Sequence, residues 1–266
     1  MNTVTSKDGT TIAFDRSGEG PAVILVGGAI QHRAIDSNTA RLAELLAPKF
    51  TVYHDDRRGR GDSGDTAPYA VEREVEDIDA LIQDAGGSAA LFGMSSGAVL
   101  ILEAADRGLA ITKLALYEPP FMIDDSRPPL PEDYRERLTR MLAEGRRGDA
   151  VELFMTEAVG VPADAVASMR GAPFWSGLES VAHTLPYDDA IMGDTTSGAP
   201  LPAGRWATVR IPTLVIDGGE SPAWARNAVQ AIVDVLPRGQ RHTLEGQTHQ
   251  VDSDVLAPVV EDFFID

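Results

Sequence analysis

The amino-acid sequence predicts an α/β fold built on a mostly parallel, doubly wound sheet. Short apolar runs alternate with segments whose apolar residues recur every three or four positions. Strands that alternate with helices form βαβ units, which give a parallel sheet covered by helices on both faces. One long segment without strand signals, residues 119–209, interrupts the alternation. The sequence therefore predicts a sheet-based core that carries an insertion.

Composition limits the classes of function. With 266 residues and 43% hydrophobic content, the chain can form one large domain or a domain with an insertion. Its net charge of −18 would repel nucleic-acid phosphates and anionic lipids, so we expect neither nucleic acid nor membrane as a partner. Cysteine is absent, which excludes disulfides and thiolate chemistry. The longest early apolar run, residues 22–26, is too short for a signal peptide or a membrane span, so we expect a cytoplasmic protein.

The first half of the chain begins with two strand signals that we interpret as a small antiparallel start. Residues 11–14 follow an Asp-Gly turn pair, and residues 23–26 follow a Gly/Pro-rich turn. Residues 52–54 predict a further strand. Residues 71–85 carry apolar side chains on one helical face, which predicts an amphipathic helix.

The second half continues the alternation on both sides of the insertion. The predicted strands are 89–92, 114–117, 213–216 and 242–244, and the predicted helices are 98–105, 222–236 and 255–264. Residues 1–118 and 210–266 then form the core. Residues 119–209 begin with proline pairs and leave through a Gly/Pro-rich stretch, and we expect them to form a helical lid over the carboxyl edge of the sheet.

A nucleophile elbow, G-x-S-x-G, lies between a predicted strand and a predicted helix. It reads Gly93-Met94-Ser95-Ser96-Gly97. The central residue of such a turn is strained and exposed, and a Cβ atom two residues before or after it would clash. The motif predicts Ser95 as a nucleophile. It also predicts that the backbone N–H of Ser96 faces a developing oxyanion at a helix N-terminus.

Four further segments accompany the elbow in a fixed order. They are DGTTIAFDRSGEGPAVILVGG near the start, HDDRRGRGDSG at 54–64, IPTLVIDGG at 211–219 and GQTHQ at 246–250. Together they make nearly the whole chain resemble the α/β-hydrolase fold family, in particular its small, lid-bearing bacterial serine hydrolases. The resemblance implies an α/β-hydrolase fold with a helical lid inserted after strand six.

The loop after residues 23–26 is expected to complete an oxyanion hole. A tetrahedral intermediate needs a second N–H donor, which this fold takes from that loop. The family often has His-Gly there, whereas this chain has Gly27-Gly28. By position, Ala29 should supply the second N–H, with Gly28 close behind.

The general base is predicted to be His249. It lies in a loop between the last strand and the closing helix, where this fold delivers its base. His54 and His242 lie in strand patterns, His183 lies in the predicted lid, and His32 follows the oxyanion loop and could line the pocket.

The acid that orients the histidine is not fixed by the sequence. In most relatives it lies three residues after the glycine that ends strand seven, but counting from Gly218 leads to Ser221. Glu118, at the end of strand six, is ranked first, because some members of the family place their acid there. Asp217 and Glu220 on strand seven and its loop remain alternatives.

Other chemistries find little support. Asp55 and Asp56 invite a metal site, but no metal-ligand spacing accompanies them, and we expect no metal and no cofactor. Residues 59–64 are glycine-rich but lack the end of a P-loop. We interpret them as a turn beside which Arg57 and Arg58 pair with nearby aspartates.

The predicted function is hydrolysis of a small-molecule ester, lactone or related acyl compound through an acyl-enzyme at Ser95. The alternatives are C–C bond hydrolysis, perhydrolysis or lyase chemistry with the same residues, and ligand binding without catalysis. A pocket for a small or medium apolar substrate is expected among lid side chains. The candidates for its lining are Phe121, Met122, Phe174, Trp175, Leu178 and Tyr187.

Overall fold

The computed structural model describes residues 1–265 and contains an eight-stranded sheet flanked by helices. The strands are β1 (Asn2–Thr5), β2 (Thr11–Ser17), β3 (Ala22–Val26), β4 (Thr51–Asp55), β5 (Ala89–Met94), β6 (Ile111–Tyr117), β7 (Thr213–Gly218) and β8 (Gly239–Leu244). The helices are α1 (Ser37–Leu46), α2 (Val71–Asp84), α3 (Ser96–Asp106), α4 (Tyr134–Ala143), α5 (Arg147–Leu153), α6 (Ala163–Met169), α7 (Trp175–Val181), α8 (Leu185–Met192), α9 (Ala223–Val235) and α10 (Ser253–Ile265).

The strand order is β1-β2-β4-β3-β5-β6-β7-β8, and β3 to β8 run parallel to one another. The strand predicted at 11–14 is present as β2 and is antiparallel, but its partners are β4 and β1, and β1 was not predicted. The prediction that 23–26 belongs to this antiparallel start is wrong, because β3 lies parallel between β4 and β5. Four of the five residues of β3 are buried and all are apolar. A strand that is apolar on both faces belongs in the interior of a parallel sheet, with helices covering each face.

The two faces of the sheet have separate hydrophobic cores because alternate side chains of each strand point to opposite faces. Ile24 and Val26 of β3 pack with residues of α2, α3 and α9. Val23 and Leu25 pack on the other face with residues of α1 and α10. The sheet is thereby covered on both faces, as the doubly wound prediction requires.

Residues 119–209, all of which are described, contain α4 to α8 and no strand. A π-helical turn at Phe154–Val159 and a 3-10 turn at Ala182–Thr184 also lie in this segment. Its apolar side chains form a third cluster, which also includes Ile30 from the loop after β3. No helix within residues 1–265 has the length and apolar character that crossing a membrane requires.

The carboxyl ends of the parallel strands meet at one edge of the sheet. Loops that leave these ends carry Ala29 after β3, Ser95 after β5, Glu118 after β6, Glu220 after β7 and His249 after β8. In open parallel sheets this edge is where ligands bind. The fold therefore brings together residues that are far apart in the sequence.

Candidate active site

Ser95 occupies a sharp turn between β5 and α3, with φ 56° and ψ −124°. A Cβ atom at Gly93 would lie 2.7 Å from the backbone of Ala98, and one at Gly97 would lie 2.4 Å from the carbonyl oxygen of Val26. The two positions require glycine because a side chain there would clash with the backbone of α3 and of β3. The sequence motif had instead indicated closeness to the serine as the reason for this requirement. The turn leaves Ser95 partly exposed between buried neighbours.

His249 is hydrogen-bonded to a buried carboxylate. Its Nδ1 lies 2.8 Å from Oε2 of Glu118, and the N–H of Gly218 donates to Oε1 of Glu118 at 2.8 Å. Burial alone would raise the pKa of Glu118, but the bonds from His249 and Gly218 outweigh it and hold the pKa below its ordinary value. An ionised Glu118 keeps the proton of the imidazole on Nδ1, which leaves Nε2 free to accept a proton.

The loop that carries His249 is held on two sides. The hydroxyl of Tyr117 donates to the carbonyl oxygen of Thr248 at 2.6 Å. A Cβ atom at Gly218 would lie 2.3 Å from the carbonyl oxygen of Gln247, so only glycine permits this close approach. The ends of β6 and β7 therefore fix the position of the histidine.

The two alternative acids do not contact His249. Asp217 is fully buried and binds residues of β8, with Oδ2 2.5 Å from Nη2 of Arg241 and Oδ1 2.7 Å from the hydroxyl of Thr243. Glu220 is exposed and lines the cavity beside Ser95. Of the three candidate carboxylates, Glu118 is the one that the structure places on the histidine.

Two residues that line the cavity beside Ser95 have backbone N–H groups without an internal partner. The N–H of Ala29 makes no hydrogen bond to any of residues 1–265, and Ser96 is the first residue of α3, so its N–H has no acceptor within the helix. Gly28 is not available as a donor, because its N–H is bonded to Oε1 of Gln31. Ala29, Ser95 and Ser96 all line one cavity, which suits the binding of an oxyanion.

The cavity has a volume of about 340 Å³ and is also lined by His249. Residues 119–209 supply most of its apolar wall. The lining side chains from this segment are Pro120, Met122, Leu130, Tyr134, Phe154, Ala158, Val159, Leu185, Asp188, Asp189, Met192 and Thr196. Pro222, Trp224, Thr248 and Gln250 complete the lining from the core.

Of the six apolar residues expected to line the pocket, only Met122 does so. Phe121 is buried and stacks on Trp206, and Tyr187 stacks on Tyr69. Phe174 is exposed, and Trp175 and Leu178 pack in the cluster of the 119–209 segment. These aromatic side chains attach the segment to the core and to itself instead of forming the pocket.

A buried ionic cluster lies next to the loop after β3 that carries Gly27, Gly28 and Ala29, which is called the oxyanion loop below. The sequence did not predict this cluster. Asp188 of α8 accepts hydrogen bonds from Arg57 at 2.8 Å, from Arg60 at 2.7 Å and from the hydroxyl of Ser96 at 2.7 Å. Arg57 also forms a bidentate pair with Glu74 at 2.8 and 3.0 Å. Burial would raise the pKa of Asp188, but Arg60 and Arg57 hold it below its ordinary value.

The expectation that both Arg57 and Arg58 pair with nearby aspartates is only partly correct. Arg58 pairs with Asp8 and Asp77, whereas Arg57 pairs with Glu74 and with Asp188. These partners lie on β1's turn, α2 and α8. The turn after β4 packs against these three elements, so its arginines pair with side chains that are distant in the sequence.

The remaining histidines lie outside the cavity lining. His32 and His54 are buried, His183 lies 3.7 Å from Asp65, and His242 is exposed on β8. Within residues 1–265, no group of three histidine, aspartate or glutamate side chains is placed to hold a metal ion.

Known proteins share this architecture. The model of the Alpha/beta hydrolase family matches residues 23–260. An alpha/beta hydrolase from Sphaerobacter thermophilus DSM 20745 is 61% identical, with a TM-score of 0.91 over 99% of this chain and 100% of that chain. A search of the curated proteins finds no match to this sequence.

More distant structures share the fold alone. The enol-lactonase from Burkholderia xenovorans LB400 is 21% identical, with a TM-score of 0.70 over 100% of both chains. The 2-hydroxy-6-oxo-6-phenylhexa-2,4-dienoate hydrolase from Rhodococcus sp. strain RHA1 is 19% identical, with a TM-score of 0.70 over 100% of this chain and 99% of that one. The predicted α/β-hydrolase fold is confirmed, and the chain belongs to the alpha/beta hydrolase family.

Proposed function

We propose that this protein is a serine hydrolase that cleaves neutral, largely apolar esters or lactones through an acyl-enzyme at Ser95. The observation that carries the proposal is one cavity that holds both Ser95, on a strained elbow, and His249, whose Nδ1 is bonded to the buried Glu118. A serine hydroxyl needs an adjacent base to attack a carbonyl, and a base needs a third group to orient it.

The proposed reaction has two steps. Nε2 of His249 takes the proton of the Ser95 hydroxyl while Oγ attacks the carbonyl carbon, and the N–H groups of Ala29 and Ser96 hold the oxyanion. The C–O bond to the leaving alcohol breaks as His249 returns the proton to it. Water then attacks the acyl-enzyme with His249 as the base, which releases the acid and regenerates Ser95.

The charges around the cavity favour a neutral substrate. Its lining includes Asp188, Asp189 and Glu220 but no lysine or arginine. Asp188 is paired with buried arginines and Asp189 with Arg135, so neither carboxylate exerts a strong force on a charged substrate. Glu220 adds a negative charge at an exposed position. A dienoate, the substrate named for the Rhodococcus enzyme, carries a carboxylate that would find no cationic partner among these side chains.

The first experiment labels the protein with a fluorophosphonate and measures its intact mass. We expect one adduct on Ser95 and none in Ser95→Ala, which should also lose turnover by about 10⁵–10⁶-fold. Ser168→Ala is the matched control, because Ser168 is exposed on α6 and should leave labelling unchanged. An unlabelled wild-type protein would contradict the proposal and favour ligand binding without catalysis.

Substrate class is then tested with p-nitrophenyl esters of increasing acyl length, with lactones, and with esters whose acyl chain ends in a carboxylate. We expect the neutral compounds to exceed their carboxylate analogues in kcat/KM by about 10-fold or more, because an unpaired charge in the cavity costs at least about 1.4 kcal/mol. Equal or greater turnover of the anionic compounds would contradict the assignment to neutral substrates.

A further inference from the structure

The two carbonyl groups of the oxyanion loop accept hydrogen bonds from the buried arginines after β4. Nη1 of Arg60 donates to the carbonyl oxygen of Gly28 at 2.6 Å, and Nη1 of Arg57 donates to that of Gly27 at 3.3 Å. Arg60 is 1% exposed and Arg57 is 3% exposed, so water does not compete for these bonds. The loop is therefore held from below by two cations.

The bond from Arg60 fixes the direction of the N–H of Ala29. The carbonyl of Gly28 and the N–H of Ala29 belong to one planar trans peptide, in which the two bonds point in opposite directions. Because the carbonyl points to the buried Arg60, the N–H points to the opposite side of the loop, and Ala29 lines the cavity there. Gly27 and Gly28 carry no side chains that would restrain this peptide.

Arg60 is itself fixed by the 119–209 segment. Its Nη2 donates to Oδ2 of Asp188 at 2.7 Å, and its Nε donates to the hydroxyl of Thr184 at 3.1 Å. The other oxygen of Asp188 accepts from the hydroxyl of Ser96 at 2.7 Å. One carboxylate thus connects both proposed donors of the oxyanion hole, Ala29 through Arg60 and Ser96 directly.

We propose that Arg60 is a positioning residue that aims the N–H of Ala29 into the oxyanion hole, and that Asp188 keeps Arg60 and Ser96 in fixed relation. This inference rests on the proposed function. It assigns to Arg60 a role beyond neutralising Asp188, which Arg57 also contacts. Without Arg60 the carbonyl of Gly28 keeps only a long hydrogen bond from the N–H of Gln31, at 3.4 Å. The peptide between Gly28 and Ala29 is then held less firmly, and transition-state stabilisation falls while the binding of the uncharged substrate does not change.

The experiment compares Arg60→Lys with Arg58→Lys. Both variants shorten a buried arginine that is paired with aspartate, but Arg58 pairs with Asp8 and Asp77 and makes no contact with the loop. The fraction of labelled protein from the fluorophosphonate assay gives turnover per active site, so partial misfolding does not distort the result. A trifluoromethyl ketone, whose adduct with Ser95 places an oxyanion in the hole, reports the hole independently of turnover.

We expect Arg60→Lys to lower kcat per labelled site by about 10–100-fold and to weaken the trifluoromethyl ketone by a similar factor, with KM within about twofold of wild type. Loss of a whole donor costs about 10²–10³-fold, and a misdirected donor costs less. Arg58→Lys should change neither quantity by more than about twofold, even where it lowers the melting temperature.

Unchanged turnover and inhibitor affinity in Arg60→Lys would overturn the inference, whatever happens to its melting temperature. If Arg60→Lys does not fold, Asp188→Asn provides the same readouts, because it weakens the contacts to both Arg60 and Ser96. We expect about 10-fold effects there, and unchanged values would again overturn the inference. A wild-type protein that the fluorophosphonate does not label would instead refute the proposed hydrolase function on which the inference rests.

Discussion

The carboxyl ends of β6 and β7 lie side by side, and their acidic side chains have different partners. Glu118, just after β6, has φ 42° and places its carboxylate on His249. Asp217, near the end of β7, is as deeply buried but turns to β8, where Arg241 and Thr243 occupy both of its oxygens. The comparison teaches that burial and position at a strand end do not select the acid. What selects the acid is the set of partners that neighbouring strands and loops offer to each carboxylate, because these partners decide whether it contacts His249.

The loop after β7 carries a buried serine at the position where the family more often has its acid. Ser221, three residues after Gly218, is 3% exposed, and its hydroxyl has no hydrogen-bond partner within residues 1–265. Ser221 thus occupies the sequence position of the family's more common acid, whereas Glu118, the proposed acid, follows β6.

Among changes at these two strand ends, the largest effect is expected from Glu118→Gln. An amide cannot stabilise the protonated imidazole, so kcat should fall by about 10²–10⁴-fold while the isosteric side chain preserves the fold. Turnover of p-nitrophenyl esters measures the loss, and circular dichroism checks the fold. Unchanged turnover in this variant, together with a loss in Asp217→Asn, would move the role to β7.

A smaller effect should come from transferring the acid between the two ends. In the Glu118→Ala background, adding Ser221→Asp supplies a carboxylate from the β7 side, and we expect it to restore about 10-fold of the lost turnover. Ser221→Asn in the same background is the control of equal size without charge. Equal turnover in the two double variants would show that the space beside Glu118 is not interchangeable between the strand ends.

The smallest change in activity is expected from Asp217→Asn. Its carboxylate ties β7 to β8 and does not contact His249, so turnover per active site should stay within about twofold of wild type. The free energy of unfolding in urea should fall by about 1–3 kcal/mol, because Arg241 and Thr243 lose a buried acceptor. A loss of turnover comparable to that of Glu118→Gln would reverse the comparison between the two ends.

The sequence alone was sufficient where the physics is local. The elbow follows from a strand, two glycines and a helix that are contiguous in the chain, and the structure places Ser95 in that turn. The loop position of His249 after the last strand was likewise predictable from the sequence, and its role as the base stays a prediction. The choice among Glu118, Asp217 and Glu220 could not be made, because it depends on which side chains of β8 face β7.

The support beneath the oxyanion loop was not predictable for a similar reason. The bond between Arg60 and Gly28 joins residues 32 positions apart, and the bond between Arg60 and Asp188 joins residues 128 positions apart. No periodicity relates such residues. The one available signal was the presence of Arg57, Arg58 and Arg60 beside glycines after β4. From the sequence, this segment is interpreted as a turn with local arginine–aspartate pairs, and Arg60 is assigned no role. The wall of the pocket was mispredicted because the aromatic side chains chosen from residues 119–209 do not line it, whereas Tyr134 and Phe154 of the same segment do.

The bond between Glu118 and His249 also bears on how the protein is made. It spans 131 residues, so the histidine meets its carboxylate only after β7, β8 and the intervening segment have been synthesised and docked. Contacts of such long sequence separation require a large loss of chain entropy before they form, which slows folding. During refolding, recovery of any turnover should accordingly trail the return of helical signal, and a chain halted before its final loop would hold Ser95 without the histidine proposed to activate it.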